Sequence, residues 1–198
     1  MKTRDSGMPD EELWASFFAP AKEIAMLGLN ADIGNAADFG CGYGTFAVPA
    51  AKVVRGTVYA LDIDPAMVAA TRARADAEGV RNVEANARDI VACGTGLPDA
   101  AVDYVMLFNI LHCEDPLSLL REARRVLAPG GTLAVMHWNY DASTPRGPSL
   151  DIRPRPEQCR AWAIEAGFEP RQAAAIHLPP YHYGFTFRKP ASAAGGLA

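Results

Sequence analysis

The segment Asp38-Phe39-Gly40-Cys41-Gly42-Tyr43-Gly44-Thr45 constrains this chain more than any other. It closes a short apolar run, Ala36–Phe39, that reads as a strand, and it leads into Thr45–Val54, which reads as a helix. Pro49 is tolerated in that helix because it lies near the first turn. Glycines at a strand-to-helix turn permit positive φ and let a ligand approach the backbone. In an open α/β sheet, ligands bind in the crevice beyond the carboxyl ends of the strands. The spacing is G-x-G-x-G, with Asp38 two residues before the first glycine. A dinucleotide fingerprint is G-x-G-x-x-G, whereas here the fifth position is Gly44 and the sixth is Thr45. Asp38 would also repel a pyrophosphate. It would attract a ligand that carries an ammonium and a sulfonium.

Strand and helix patterns alternate from this point on. Thr57–Leu61 is rich in β-branched and aromatic residues and reads as a strand. Asp64-Pro65 supplies an N-cap and a proline at the first helical position, opening a helix that runs to Glu78 before Gly79. Asn82–Ala87 is a weaker strand pattern, and Tyr104–Phe108 is a strand whose continuous apolar character suits burial on both faces of a parallel sheet. Pro116–Leu127 reads as an amphipathic helix stopped by Ala128-Pro129-Gly130-Gly131, and Thr132–Met136 as the next strand. A helix over Arg155–Ala166 and strands over Gln172–His177 and Tyr183–Arg188 complete the pattern. This order predicts an α/β fold with a doubly wound, mostly parallel sheet and right-handed crossovers. Residues 1–30 form an N-terminal segment with one helix over 8–29, carrying Leu13/Phe17 and Trp14/Phe18 pairs four apart. Residues 31–190 form the α/β domain, and the Ala/Gly-rich stretch 191–198 reads as a frayed tail.

Composition narrows the function. A chain of 198 residues, 49% apolar and 21% charged, is globular in character. A net charge of −4 lacks the positive field that duplex nucleic acid requires, so no nucleic-acid partner is expected. The cysteines Cys41, Cys93, Cys113 and Cys159 form no C-x-x-C pair and no zinc-finger spacing, so they read as reduced thiols and no metal is expected. The opening MKTRDSGMPDEELW has no apolar h-region, and the longest apolar stretch, Val102 to Leu111, is too short to span a bilayer. A cytoplasmic protein without a membrane partner is the expectation.

Asp62, at the end of the second strand, can accept both hydroxyls of a ribose, and Ile63 can pack on an adenine; Asp64 is better placed as a helix N-cap. With these residues in place, the chain resembles the class I, Rossmann-like methyltransferases, especially the small-molecule group with motifs of the form D-x-G-C-G-x-G. The resemblance runs from about Ala36 to Asn139. VYALDIDPAMV resembles the family's second motif, and NVEANARDI resembles the stretch that ends in the adenine-contacting acid. The best register gives that acid as Asp89, with the Ile90 amide beside it. VACGTGLP is about two residues longer than usual, which keeps Asn86 as the alternative. LPDAAVDYVMLFNILH resembles the run into the fourth strand, with Asn109 facing the cofactor, and LLREARRVLAPGGTLAV the segment into the fifth. The resemblance implies a seven-stranded sheet with an antiparallel last strand and S-adenosylmethionine as cofactor. It implies methyl transfer to a small-molecule acceptor, leaving S-adenosylhomocysteine. The cofactor-binding set is then Asp38, Gly40, Cys41, Gly42, Gly44, Asp62, Ile63, Asp89, Ile90 and Asn109.

Base-amine methyltransferases carry an Asn/Asp-Pro-Pro-aromatic motif after the fourth strand; Phe108-Asn109-Ile110-Leu111-His112 stands there instead. The double-acid hairpin of the arginine methyltransferases is absent too. The acceptor side must come from strand ends. His137, Tyr140 and His182 are the catalytic candidates, and Trp14, Phe18, Trp138, Tyr181 and Arg146 are the substrate-binding candidates. Packing competes with function for each of these aromatics. His112 after the fourth strand reads more simply as a helix-leading contact. Arg146, Arg153 and Arg155 share one Pro-rich loop and suit an anionic acceptor, against the plainer reading of solvated arginines paired with Asp151 or Glu157. Two other readings compete with the enzyme: a non-catalytic protein that retains the cofactor or its product, and an NAD-dependent oxidoreductase, against which Gly44 and Asp38 argue.

Overall fold

The computed structural model describes residues 9–191. The predicted tail lies outside them except for Ala191. Strand β1 (Ala36–Phe39) is the centre from which the sheet winds in both directions. On one side β1 pairs in parallel with β2 (Val58–Asp62), and β2 with β3 (Val83–Ala87). On the other it pairs with β4 (Val102–Phe108), and β4 with β5 (Leu127–Trp138), again in parallel. The order reverses between β1 and β4, which creates a switch point at their carboxyl ends. β8 (His182–Arg188) runs antiparallel to β5, with Trp138 opposite His182. β6 (Glu169–Pro170) and β7 (Ile176–Leu178) both pair with the far edge of β8. Eight strands thus fill seven positions. The strand expected over Gln172–His177 is replaced by two fragments on either side of 171–175.

Helices cover both faces. α2 (Pro20–Met26), α3 (Ala47–Ala51) and α4 (Pro65–Ala77) bury Ile24, Ala47, Ala50 and Val68 against one face. α5 (Ile90–Cys93), α6 (Pro116–Val126) and α7 (Pro156–Glu165) bury Ile90, Leu119, Leu120, Ala123, Cys159 and Ala163 against the other. Tyr104 of β4 is fully buried, and its hydroxyl donates to the Leu27 carbonyl at 2.9 Å, fastening the end of α2 to the sheet.

Two local expectations are corrected. The leading helix is broken in two: α1 (Glu11–Ala15), capped by Asp10, and α2. Pro20 is the cause, because it cannot donate to a preceding turn and disfavours helical backbone at Ala19, which sits at φ −119° and ψ 72°. The second correction is that β5 begins before the glycines. Leu127 pairs with Val102 and Thr132 with Tyr104, so residues 128–131 form a bulge inside the strand. Gly131 is required there, since a Cβ would lie 2.8 Å from the Ala128 carbonyl oxygen and 3.0 Å from that of Asp103.

Candidate cofactor and acceptor site

A cavity of about 430 Å³ opens at the switch point. The glycine loop forms its floor. The backbone amides of Gly40 and Cys41 donate to the Leu61 carbonyl at 2.7 and 3.0 Å, tying the loop to β2. Gly40, Gly42 and Gly44 all have positive φ, at 76°, 53° and 71°. A Cβ on Gly40 would lie 2.7 Å from Ile110 Cδ1. Asp62, at the end of β2, is gripped on both oxygens: Gly42 N–H donates to Oδ2 and Asp64 N–H to Oδ1, each at 2.9 Å. Those bonds fix the carboxylate and leave each oxygen a further lone pair. Asp64 itself accepts from Ala66 N–H at 2.8 Å as the N-cap of α4.

Asp38 is 2% exposed. Burial raises its carboxyl to about 7, the neighbouring Asp62 adds to the rise, and the Ala47 backbone N–H partly offsets it. Asn109 follows β4 at φ 56°, and both polar atoms of its side-chain amide are buried without a partner. Thr45 Oγ1 is orphaned in the same way. Buried polar atoms are normally paired. Unpaired ones in a cavity wall fit a polar ligand, and a nucleoside with an amino-acid tail supplies both donors and acceptors.

Asp89 caps α5, accepting from Ala92 N–H at 3.0 Å, which holds its carboxyl below the usual range. Asp89 and Ile90 line the cavity; Asn86, exposed on β3, does not. The extra residues of the 91–98 stretch are absorbed by a loop fastened to α6. Thr95 donates to Glu122 Oε1 through both its N–H and its hydroxyl, each at 2.6 Å, and Arg125 reaches Glu122 at 2.7 Å and Asp99 at 2.6 Å. Arg125 first, and Thr95 after it, hold Glu122 down at about 2 against the opposing effect of burial.

Nine of the ten expected cofactor residues line this cavity. The tenth, Gly44, lies behind it, where a Cβ would meet Thr71 Cα at 3.3 Å; it permits the close approach of α4. The acceptor-side candidates divide. Trp14, Trp138 and Arg146 line the cavity. Phe18 is a layer further back, against His182 at 4.7 Å and Phe46 at 5.3 Å. Tyr181 meets Phe17 at 6.2 Å, and Tyr140 lies 3.8 Å beneath the Arg155 guanidinium. None of these three lines the cavity. His137 and His182 are fully buried, and burial depresses both imidazoles, His182 to about 3. His137 instead touches His112, Nε2 to Nδ1 at 3.4 Å, and it is His112 that lines the cavity.

The loop arginines divide as well. Arg153 is 7% exposed and donates to the carbonyls of Pro148 and Asn139 at 2.9 Å, Arg146 at 3.2 Å and Asp141 at 3.3 Å. It holds the loop in shape and Arg155 covers Tyr140, so of the three only Arg146 reaches the cavity. Sequence reasoning also missed Pro9, Tyr43, Phe46 and Phe108 in the wall. Tyr43 donates to the Pro9 carbonyl at 3.1 Å, a link between the glycine loop and the N-terminal segment that no spacing rule anticipates. Among the described residues no cluster of His, Cys, Asp or Glu could hold a metal, and no helix is long and apolar enough to cross a membrane.

A doubly wound sheet with an antiparallel β8 beside β5, and a glycine loop, strand-end acid and unpaired Asn at the switch point, define a Rossmann-like fold of the class I methyltransferase type. The methyltransferase domain family matches residues 37–135, half of the chain, and the chain belongs to that family, whose cofactor is S-adenosylmethionine. The aklanonic acid methyltransferase DauC of Streptomyces sp. (strain C5) is 30% identical over 143 residues, 66% of this chain and 64% of that protein. An uncharacterised transposon protein of Streptomyces fradiae is 32% identical over 156 residues, 75% of this chain and 45% of its own length. The chain therefore spans less than two thirds of either relative. A SAM-dependent methyltransferase from Aquifex aeolicus shares the fold with a TM-score of 0.80 at 24% identity, covering 91% of this chain and 94% of that one. The [4+2]-cyclase SpnF shares it with a TM-score of 0.70 at 18% identity, over 87% and 82%. Fold alone thus does not specify the chemistry.

Proposed function

We propose that the protein is an S-adenosylmethionine-dependent methyltransferase that acts on a small-molecule acceptor and leaves S-adenosylhomocysteine. One observation carries the reading: a single cavity is lined by the glycine loop, by Asp62 and Ile63, by Asp89 and Ile90, and by an Asn109 amide with no partner in the protein. Asp62, held by two amides, accepts the ribose hydroxyls. Asp89 and Ile90 hold the adenine. Asp38 faces the ammonium, whose charge repays its burial. When bound, the cofactor supplies an activated methyl on a sulfonium. The chain's own contribution is alignment of an in-line displacement and exclusion of water. α1 and the break after it supply the cover. α1 buries none of its own residues, yet Trp14 lines the cavity, and Phe17 and Phe18 pack on Trp138 at 5.4 and 5.8 Å. The cavity volume of about 430 Å³, with Trp14 in its wall, supports a small acceptor; so does the name of the aklanonic acid methyltransferase relative.

Calorimetric titration with adenosylmethionine, adenosylhomocysteine and NAD tests the cofactor. Binding of the first two without NAD is expected; binding of NAD alone would sink the reading. Methyl-labelled adenosylmethionine, incubated with fractionated cell extract, tests the acceptor. Label should enter the low-molecular-weight fraction, and label confined to protein or nucleic acid would overturn that half.

A further inference from the structure

We propose that His112 is a catalytic residue of this cavity: its Nε2 takes the proton of a flat aromatic hydroxyl acceptor, and His137 positions its ring. The assignment rests on the reading of the cavity as a methyl-transfer site. It begins with elimination. Asp38 and Asp62 belong to the glycine-loop side, and Asp64 and Asp89 cap helices. The Tyr43 hydroxyl is spent on the Pro9 carbonyl. Burial pushes the Cys113 thiol up to about 11, so it stays protonated. Arginines have no lone pair to offer. His112 is left as the group in the described wall, outside the expected cofactor set, that is neutral and has a ring nitrogen lone pair to offer.

Its geometry suits that task. His112 Nδ1 lies 3.4 Å from His137 Nε2, and its own Nε2 has no hydrogen bond among the described residues and is not sealed from the cavity. The contact places one proton between the two rings, and His137 is assigned its own proton on Nδ1, an atom buried without a partner. With that proton on Nδ1, His137 Nε2 accepts from His112 Nδ1–H. The lone pair of His112 then sits on Nε2, facing the cavity. A base oriented by a second group behind it is the arrangement proton-transfer sites require.

Charge fits as well. Burial holds His112 at about 4, so it is neutral and does not repel a sulfonium. So weak a base does not ionise a phenol in advance. It need not, because the oxygen becomes strongly acidic as it gains the methyl. The acceptor oxygen forms its bond to the methyl carbon as the carbon–sulfur bond breaks, the electron pair staying on sulfur. The O–H proton passes to Nε2. The reacting groups carry one positive charge before the step, on sulfur, and one after it, on the His112 ring, and the imidazolium then loses its proton to water. Trp14, half-buried in the cavity wall and backed by the buried Trp138 ring at 6.1 Å, offers its indole to a flat ring.

2-Naphthol is the probe, because excitation makes its hydroxyl a strong acid and its naphthol and naphtholate forms emit at different wavelengths. The variants are His112→Asn, which keeps a partner for His137 but has no nitrogen at the cavity, and His112→Gln, which reaches the cavity but is not basic. Adenosylhomocysteine affinity should stay within about threefold of wild type in both, a change of under about 0.7 kcal/mol. In the adenosylhomocysteine-loaded wild type, bound 2-naphthol should show the naphtholate band; in both variants it should show the naphthol band. With adenosylmethionine, formation of 2-naphthyl methyl ether should fall by about 10²-fold or more in both variants. If adenosylhomocysteine fails to bind the wild type, the underlying methyl-transfer reading fails. If it binds, but 2-naphthol does not, or the naphtholate band persists in both variants, the assignment of His112 alone is overturned.

Discussion

Asn109 combines two demands that are usually met by different residues. Its backbone is left-handed, at φ 56°, and its amide stands buried and unpaired in the cavity wall. Asparagine is among the few side chains that tolerate that backbone. The two roles can be separated. Asn109→Gly keeps the turn and removes the amide, so it should melt near wild type while binding adenosylmethionine more weakly. Asn109→Ala should lose the same affinity and in addition about 1–2 kcal/mol of stability. Thermal melts and calorimetry on the pair check this; equal melts for both would mean that the backbone exerts no strain. Asp62 is a plainer case, because its position is fixed by the amides of Gly42 and Asp64. Asp62→Ala removes the acceptor for ribose and leaves those two amides without their partner. Cofactor affinity should fall by about 1–3 kcal/mol, measured by titration; unchanged affinity would remove Asp62 from the ribose site.

At the scale of elements, the N-terminal segment divides where Pro20 breaks it. α2 and the turn that follows it belong to the core: Ile24, Leu27 and Leu29 are at most 4% exposed. α1 is five residues long, with none buried. Deleting residues 1–18 should therefore leave a folded domain with weakened cofactor binding and little turnover. Amide exchange should show α1 becoming protected when adenosylhomocysteine binds. Protection already high without ligand, and unchanged by it, would make α1 scaffold. The sequence made β1, β2, β4 and α4 legible because their signals are local: apolar runs, a glycine loop, and an Asp-Pro cap. The glycine-loop half of the cavity wall was legible for the same reason, since its residues follow directly from strand ends. The bulge at 128–131 was not, because it depends on pairing with β4, and a glycine pair reads first as a stop. The break before Pro20 and the division of the last edge strand around 171–175 were missed because a sustained periodicity outweighed them. The acceptor half was the least legible. Which of His112 and His137 lines the cavity, and which loop arginine does, is decided by contacts between residues far apart in the chain: His137 is paired into β5 and β8 behind His112, and Arg153 is spent on the Asn139 carbonyl.

Buried carboxyls and buried histidines act on the whole molecule in opposite directions, and they make its stability depend on pH in a way that reports on the site. Glu23 and Asp38 are both raised to about 7, each chiefly by burial. Their unfolded values lie near 4. Between those limits the native state holds protons that the unfolded chain has lost, so both groups lower stability as pH rises from about 4 to about 7. The histidines act in the other direction. Burial holds His112 at about 4, His182 at about 3, and His137 well below its ordinary value. The unfolded chain protonates them below about 6.5 while the native state does not, so stability is lost as pH falls from about 6.5. Three histidines outweigh two carboxyls below that point; above it the carboxyls lower stability, joined near pH 8 by the thiols of Cys41, Cys113 and Cys159, which burial raises. The unliganded protein should therefore melt highest between about pH 6 and 6.5 and lower at pH 8 than at its maximum. A bound ammonium favours ionised Asp38, so adenosylmethionine should bind more tightly at pH 8 than at pH 6, and the gap in melting temperature between free and bound protein should widen over that interval. Asp38→Asn separates the site from the rest of the molecule. It should bind the cofactor with reduced affinity that no longer changes between pH 6 and 8. It should also melt relatively higher on the alkaline side, with the declines due to Glu23 and the buried thiols remaining. Melting curves at half-unit pH steps, with and without adenosylmethionine, read all of this from one set of samples. A wild-type gap that is flat with pH would dissociate Asp38 from the ammonium and leave its burial without a ligand to repay it.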